Sequence, residues 1–370
     1  MSRRIRLALD ATYAAYPNRT GIGVYSEKLI AALGRSLGSQ VFSQYQFVLG
    51  FRPGPFLRWA WQRRWPANFA ISPLLDPWLP VPRATLFHGL NQRLPERTFP
   101  LRVVTLHEHY PALSGSYSTA EFRQHMSRRI GSAIWRADRI IAVSDSVRQH
   151  LVRHEPAVEA KVRVIHHGVD DAAPATPQEQ QDFRERVLGL DPQERFFLNV
   201  GAVQTRKNIA GIATALRRLP GYRLVLAGAD GYGAEEIRSF IRKEAIQDRV
   251  LFLGHAGPQV LRLLYSSAAA LVFPSFEEAF GLPILEAMSY GLPVITSNVS
   301  AMPEVAGDAA LLVDPNDISQ IGEAMRRVVE DEPLARELSG KGKQRAAQFT
   351  WDQCAARTWA VYQELLQESR

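Results

Sequence analysis

The sequence predicts an α/β protein made of two doubly wound, parallel-sheet domains, and three observations carry that reading. Short apolar runs alternate with segments of helical periodicity from Ile5 to Val313, the pattern of β/α units on a parallel sheet. The alternation occurs twice, in halves of similar size, and the polar, two-proline stretch Asp171 to Gln180 (D-A-A-P-A-T-P-Q-E-Q) reads as the linker between them. With 370 residues, the chain is long enough for two domains of ordinary size. The expected division is residues 1–172, residues 173–350 and a closing helical segment, residues 351–370.

In the first half, Ile5 to Leu9 reads as a strand. Thr20-Gly21-Ile22-Gly23 then reads as a loop leading into a helix marked by Tyr25, Leu29 and Leu33. A glycine-rich strand-to-helix loop can hold phosphate on its backbone N–H groups, although such a pair of glycines is also an ordinary turn. Gln44 to Phe51 is the next strand. Tryptophan and arginine interleave from Arg58 to Trp65, with Leu74, Leu75, Trp78 and Leu79 beyond. That pattern suits a membrane interface, a substrate flap or a partly buried amphipathic turn.

Ala84 to Phe87 and Arg102 to Leu106 read as buried strands followed by His88 and His107, at the carboxyl ends where ligands of open parallel sheets gather. Ser118 to Trp135 has helical character, and Arg139 to Val143 is a strand. Ser144 reads first as the cap of the following helix and second as a cleft residue. Val162 to Ile165 leads into His166 and His167. Adjacent side chains on extended backbone point oppositely and no further ligands lie nearby, so no metal is expected there.

In the second half, Phe196 to Val200 is a strand, Gly201 to Asn208 (G-A-V-Q-T-R-K-N) a loop, and Ile209, Ile212, Ala213 and Leu216 mark a helix face. Arg206 and Lys207 stand where a strand feeds a helix start, a place where cations join backbone N–H groups in holding a diphosphate. Solvated surface cations are the plainer reading. Arg223 to Ala227, Val250 to Leu253, Ala268 to Phe273, Val294 to Ser297 and Ala310 to Val313 are further strands, and Trp351 to Glu368 is a final amphipathic helix.

The most informative stretch is Ser275 to Gly291. A turn with Phe280, Gly281 and Leu282 precedes a helix that Pro283 opens, and Gly291 closes it. The free N–H groups of that helix start form an anion seat, and Gly281 lets a ligand approach the backbone. Glu286, expected in the first turn, and Glu278, in the preceding loop, flank the seat with carboxylates able to accept from vicinal hydroxyls. Two glutamates also simply favour a helix N-terminus, by ~0.3–1 kcal/mol.

Composition sets the outer bounds. With 46% hydrophobic and 22% charged residues the chain is a soluble globular protein. No apolar run approaches ~18 residues, and Met1 to Tyr13 reads as a first strand, not a signal peptide. Cys354 is the single cysteine, which rules out an intrachain disulfide and a zinc cluster and fits a cytoplasmic location. The net charge of +7 is unevenly spread. Residues 1–170 carry 23 Lys and Arg against 11 Asp and Glu, a balance of +12; the rest carry 21 against 26, a balance of −5. A basic first half suggests an anionic membrane surface, a lipid diphosphate or simply a solvated arginine-rich face. No nucleic-acid module is present, and nucleic acid is not expected as a partner.

The run P-S-x-x-E-A-F-G-L-P-x-L-E-A-M-x-x-G-x-P-V-I, from Pro274 to Ile295, resembles the donor-site signature of family 4 glycosyltransferases of the GT-B fold. The resemblance extends from near residue 10 to Trp351. It implies two Rossmann-like domains facing a cleft, with a nucleotide sugar on the C-terminal domain, an acceptor on the basic N-terminal domain, and the last helix crossing back onto the first domain. It also implies roles. Gly21 and Gly23 would touch the donor diphosphate or the acceptor. Arg206, Lys207 and the turn Phe280-Gly281-Leu282 would hold the diphosphate, and Glu286 the ribose. Glu278 would hold the sugar hydroxyls and orient the anomeric carbon, and His107 would contact the sugar. The sequence departs from the family at Glu108, where aspartate is usual, at His167, where asparagine is frequent, and at Ala202, where many members carry arginine.

The implied reaction is hexose transfer with retention to a hydroxyl of a glycan or a lipid-diphosphate-linked acceptor. No D-x-D triplet occurs, so neither a metal nor another cofactor is expected. The T-L-H-E and T-R-K-N variants most resemble bacterial mannosyl- or rhamnosyltransferases of polysaccharide assembly, which makes GDP-mannose the first donor to consider. Peripheral contact with the inner face of the cell membrane is a further expectation. Rival readings are another GT-B enzyme, a nucleotide-sugar epimerase or a phosphorylase, and a non-catalytic nucleotide-sugar sensor.

Overall fold

The computed structural model describes residues 4–17, 21–75, 83–96, 99–109, 117–191 and 193–369. Thr20, Trp78 and Leu79 lie outside them. The chain divides into two compact units. One comprises Met1–Leu113, Ala120–Gly168 and Thr350–Arg370; the other comprises Ser114–Thr119 and Val169–Phe349.

The first unit is built on a seven-stranded, all-parallel sheet. Its strands are β1 (Ile5–Asp10), β2 (Tyr45–Phe51), β3 (Phe69–Pro73), β4 (Leu86–Gly89), β5 (Leu101–Leu106), β6 (Arg139–Ala142) and β7 (Val162–Val164), in the order β3-β2-β1-β4-β5-β6-β7. The chain works outward from β1 to β3, then returns to the other side of β1 with β4. That reversal places a topological switch point between β1 and β4. Leu7 faces Phe47 on one neighbour and Leu86 on the other, and all three are fully buried, as expected of strands covered on both sides.

The last helix, Trp351–Glu368, belongs to this unit. Its Trp351, Trp359, Tyr362, Leu365 and Leu366 join the core beneath the helix Gly21–Ser36. Thr350 caps its start by accepting the Gln353 N–H at 3.1 Å. Gly168 lies so close to that start that a Cβ there would sit 2.2 Å from the Trp351 nitrogen. A buried polar chain adds to the packing. The Tyr362 hydroxyl meets His88 Nδ1 at 2.6 Å, His88 Nε2 meets Thr105 Oγ1 at 2.8 Å, and Thr105 Oγ1 meets the Tyr25 hydroxyl at 3.0 Å.

The second unit has a six-stranded, all-parallel sheet. Its strands are β8 (Arg195–Val200), β9 (Tyr222–Ala227), β10 (Val250–Gly254), β11 (Ala270–Phe273), β12 (Val294–Ser297) and β13 (Leu311–Val313), in the order β10-β9-β8-β11-β12-β13. The switch point falls between β8 and β11, and Asn199 ties the two strands together by donating to the Val272 carbonyl at 2.8 Å.

Three local expectations need correction. Gly21 and Gly23 are not in a loop, because the helix already starts at Gly21, which puts both in its first turn. The proposed linker ends in a helix, Pro177–Asp182, because Thr176-Pro177-Gln178-Glu179 forms a capping box that satisfies two orphan N–H groups, with proline tolerated at the first position. His88 is the third residue of β4 itself, fully buried and held at both ring nitrogens, so it is a structural group.

Candidate active site

In the second unit, the loops after β8 and β11 meet. Gly201, at φ +120°, turns the chain out of β8, and Gly228 lets it pass: a Cβ there would lie 1.9 Å from the Gly201 oxygen. The loop ends at Asn208, a left-handed residue at φ 54°, whose amide donates to the Pro315 carbonyl at 2.6 Å. The Phe276 N–H donates to the Arg206 carbonyl at 2.9 Å and locks the two loops together.

This docking forms a buried ionic triad. Lys207 Nζ lies 2.7 Å from Glu278 Oε1, and an Arg206 guanidinium nitrogen lies 2.9 Å from Glu278 Oε2. Lys207 also sits 4.1 Å from the centre of the Phe273 ring, and Arg206 donates to the Glu277 carbonyl. The Lys207 and Glu278 side chains are only 7% and 10% exposed, which makes this a desolvated cluster and not a surface pair. Burial pushes the Glu278 carboxyl up, but the two adjacent cations outweigh it and hold the group down at about 2. Glu278 is therefore ionised at neutral pH, and the triad carries one net positive charge. Ser300 secures the Glu278 backbone from both sides. Its Oγ accepts the Glu278 N–H at 3.2 Å and donates to the Glu278 carbonyl at 2.7 Å.

Gly281, at φ +100°, turns the chain into the helix Leu282–Ser289, with Pro283 in its first turn. Phe280 is buried with its ring against Phe349. Glu286 needs correction: it is the fifth helical residue and lies in the second turn, because the helix begins at Leu282. Its carboxylate accepts from the Tyr265 hydroxyl at 2.6 Å. Burial first, and Glu286 second, hold that phenol well above its ordinary value, so it remains a donor. Tyr265 and Ser300 hold Glu286 and Glu278 by hydrogen bonds that the sequence did not reveal. Tyr265 sits in L-R-L-L-Y on the helix Pro258–Ser267, where it reads as core, and Ser300 gains its role only from the fold.

His107 belongs to the first unit and follows β5. Its Nε2 meets the Leu90 carbonyl at 2.9 Å, and its own N–H donates to Gln92 Oε1 at 2.9 Å. A carbonyl only accepts, so Nε2 carries the proton and Nδ1 the lone pair. Burial pushes the imidazole down to about 4, with the Leu90 bond opposing, so His107 is neutral at pH 7. Ser144 caps its helix by accepting the Val147 N–H at 3.1 Å, as the first of its two readings expects. Among the described residues, no group of three or more His, Cys, Asp and Glu side chains is placed to hold a metal.

Two parallel sheets, each with a switch point, and a buried ionic triad beside the carboxyl ends of β8 and β11 define the frame. Comparison with known proteins specifies it. Residues 31–173 match the model described as Glycosyltransferase Family 4, and residues 180–345 match Glycosyl transferases group 1. The O-antigen chain mannosyltransferase B of Escherichia coli is 31% identical over 290 residues, 76% of this chain and 74% of that protein. The D-inositol 3-phosphate glycosyltransferase of Mycolicibacterium smegmatis is 31% identical over 240 residues, 63% of this chain and 54% of that one. Among solved structures, the sucrose-phosphate synthase of Thermosynechococcus elongatus superposes with a TM-score of 0.73 at 22% identity, covering 99% of this chain and 100% of that one. Anabaena HepE in complex with UDP and glucose does so at 0.74 and 16%, covering 98% and 100%. The chain belongs to the family 4 glycosyltransferases, has the GT-B fold, and is a glycosyltransferase.

Proposed function

We propose that this enzyme transfers mannose from GDP-mannose, with retention, to a hydroxyl of a glycan or lipid-linked acceptor in polysaccharide or glycolipid assembly. The observation that carries the reading is the buried Arg206–Glu278–Lys207 triad. Mannose is favoured by the 31% identical O-antigen chain mannosyltransferase B, and by the serotype-specific mannosyltransferase WbdA of Escherichia coli, 28% identical over 244 residues but matched along only 30% of its length.

The barrier in such a transfer is charge accumulating on the departing diphosphate. Arg206 and Lys207, joined by the N–H groups at the start of Leu282–Ser289, meet that charge in a desolvated place where each contact is strong. The incoming diphosphate competes with Glu278 for both cations. Glu278 is thereby released to accept hydrogen bonds from the sugar hydroxyls and to orient the anomeric carbon. A carboxyl held at about 2 is a poor general acid or base near neutrality, so Glu278 acts by charge and position. Glu286, aimed by Tyr265, accepts from the ribose hydroxyls. His107 offers its Nδ1 lone pair to the transferred sugar. The leaving phosphate takes the acceptor proton, in a route that uses no metal. The exposed Arg58, Trp61 and Arg64 support peripheral contact with an anionic membrane, which co-sedimentation with phosphatidylglycerol vesicles tests.

The test of the whole reading is thermal melting with GDP, UDP, ADP and dTDP, without and with magnesium, followed by a transfer assay with GDP-mannose. A nucleotide at a hundred times its Kd stabilises by ~2.7 kcal/mol, readily seen as a shift. GDP alone should raise the midpoint without magnesium. A shift with another nucleotide instead would replace the donor, and a strict magnesium requirement would remove the metal-free route.

A further inference from the structure

The first unit holds a second charged cluster, at its own switch point. Asp10 ends β1, Arg52 follows β2, and Asn91 and Arg93 follow β4. Arg129 reaches the same place from the helix Ala120–Arg136. Asp10 is buried and fully engaged. Its Oδ1 accepts from the Thr12 N–H at 3.1 Å and the Thr12 hydroxyl at 2.6 Å, and its Oδ2 accepts from Asn91 Nδ2 at 3.1 Å, with an Arg52 nitrogen 3.9 Å away. The loop carrying Asn91 and Arg93 is held firmly. Gln92 is left-handed at φ 62°, its N–H donates to the Thr105 carbonyl at 3.1 Å, and its side chain accepts the His107 N–H.

This is more positive charge than the folded chain needs. Desolvation, then the like charges of Arg52 and Arg129, pushes Arg93 down to about 10. Desolvation also pushes Arg129 down, partly countered by its bond to Tyr13. Asp10 is a carboxylate that acts on both arginines. Two buried polar atoms here have no partner among the described residues: Arg129 Nε, a donor, and Asn91 Oδ1, an acceptor on a residue only 4% exposed. Three guanidinium groups around one carboxylate repel one another, and buried polar atoms without partners are costly. A ligand carrying both an anion and a hydroxyl answers both deficits.

We propose that this cluster is the recognition site for a phosphate group on the acceptor, with Arg52, Arg93 and Arg129 on the phosphate oxygens and Asn91 Oδ1 accepting from a neighbouring hydroxyl. The acceptor class is then a phosphate ester of a polyol or sugar, either soluble or lipid-linked. The proposal rests on the reading of the protein as a glycosyltransferase with its donor on the other unit, and it deepens that reading.

The test is calorimetric titration with mannose 1-phosphate, with a farnesyl-diphosphate-linked hexose, and with methyl mannoside as the uncharged control. Both phosphorylated probes should bind and the control should not; the tighter of the two identifies a soluble or a lipid-linked source. Arg93→Gln and Arg129→Gln should each weaken binding at least about tenfold, as expected for lost charge-assisted bonds. Arg206→Gln should weaken GDP and leave the probes unchanged. Removing one cation from an overfull cluster should also leave the midpoint of unliganded Arg93→Gln equal to or above wild type, unlike the loss of a structural arginine. Arg52→Gln serves if either variant misfolds. Undiminished probe binding in the arginine variants, equal binding of methyl mannoside, or loss of probe binding in Arg206→Gln alone overturns the proposal. Absence of GDP binding to wild type overturns the donor reading and leaves the phosphate site standing.

Discussion

The two units share one frame, a parallel sheet with a switch point beside its central strand, yet they bury different chemistry. Apart from its Asp10 cluster, the first packs neutral groups beneath the last helix: Tyr362, His88, Thr105 and Tyr25 in one hydrogen-bonded chain, with His107 and His167 nearby. The second buries ions, Arg206, Lys207 and Glu278. A neutral network satisfied at every member fastens a fold, here the last helix to the sheet. A buried cluster with surplus charge is a weak device for stability, because desolvation offsets much of the attraction. The contrast separates a neutral network that fastens an element from an ion cluster whose proposed role is to meet a ligand.

The sharpest way to break the contrast is Glu278→Gln. If the triad exists for a ligand, removing its anion should tighten binding of free GDP severalfold, since Glu278 no longer competes with the diphosphate for Arg206 and Lys207. Transfer should nevertheless fall by about 10²-fold or more. Calorimetry and turnover read the two effects separately, and loss of GDP affinity alongside turnover would show that Glu278 merely props up the fold.

Acid should separate the units next. Burial, then the neighbouring His107, pushes His88 down to about 3; His107 lies at about 4, and His167 is held well below its ordinary value, chiefly by burial. The unfolded chain takes up these protons near pH ~6.5, so the first unit's stability is full above that pH and declines as pH falls toward 4. The decline approaches about 1 kcal/mol per histidine per pH unit. Glu278 has the carboxylate pattern: its contribution is present above pH ~4.5 and lost as pH falls through about 2. Hydrogen exchange at pH 5 should therefore show the helix Trp351–Glu368 losing protection before β11. The reverse order would mean that the histidines do not set acid stability.

Smaller effects sharpen the assignment. Tyr362→Phe strips a buried hydroxyl from His88 Nδ1 and should cost about 1–3 kcal/mol of melting stability with little change in kcat at permissive temperature. Tyr265→Phe leaves Glu286 unaimed and should raise KM for the donor about threefold to tenfold with the melting midpoint nearly unchanged. A matching fall in kcat at constant KM would place Tyr265 in the chemical step instead.

Much of this was legible in the chain. The alternation of apolar runs and helical faces, the turn at Gly281 and the R-K pair before a helix are local features, and local sterics and periodicity write them directly into sequence. Errors fell where a boundary hung on one hydrogen bond. Glu286 moved to the second turn because Leu282, not Pro283, starts the helix. Gly21 and Gly23 lie in a helix despite glycine's low helix propensity, because Tyr25, Leu29 and Leu33 of that helix are buried in the core. The capping box at Thr176 was readable as T-P-Q-E but hidden inside a segment that looked like linker.

What the sequence determined alone was therefore the class: parallel α/β architecture twice over, and a long signature whose residue types suit a nucleotide sugar. Which side chains meet was decided by tertiary structure, because Arg206 and Glu278 lie 72 positions apart and Asp10 and Asn91 lie 81 apart in the chain. Only the parallel pairing of β8 with β11, and of β1 with β4, carries those loops to the same sheet edge. Burial there turns ordinary charged residues into a desolvated cationic seat.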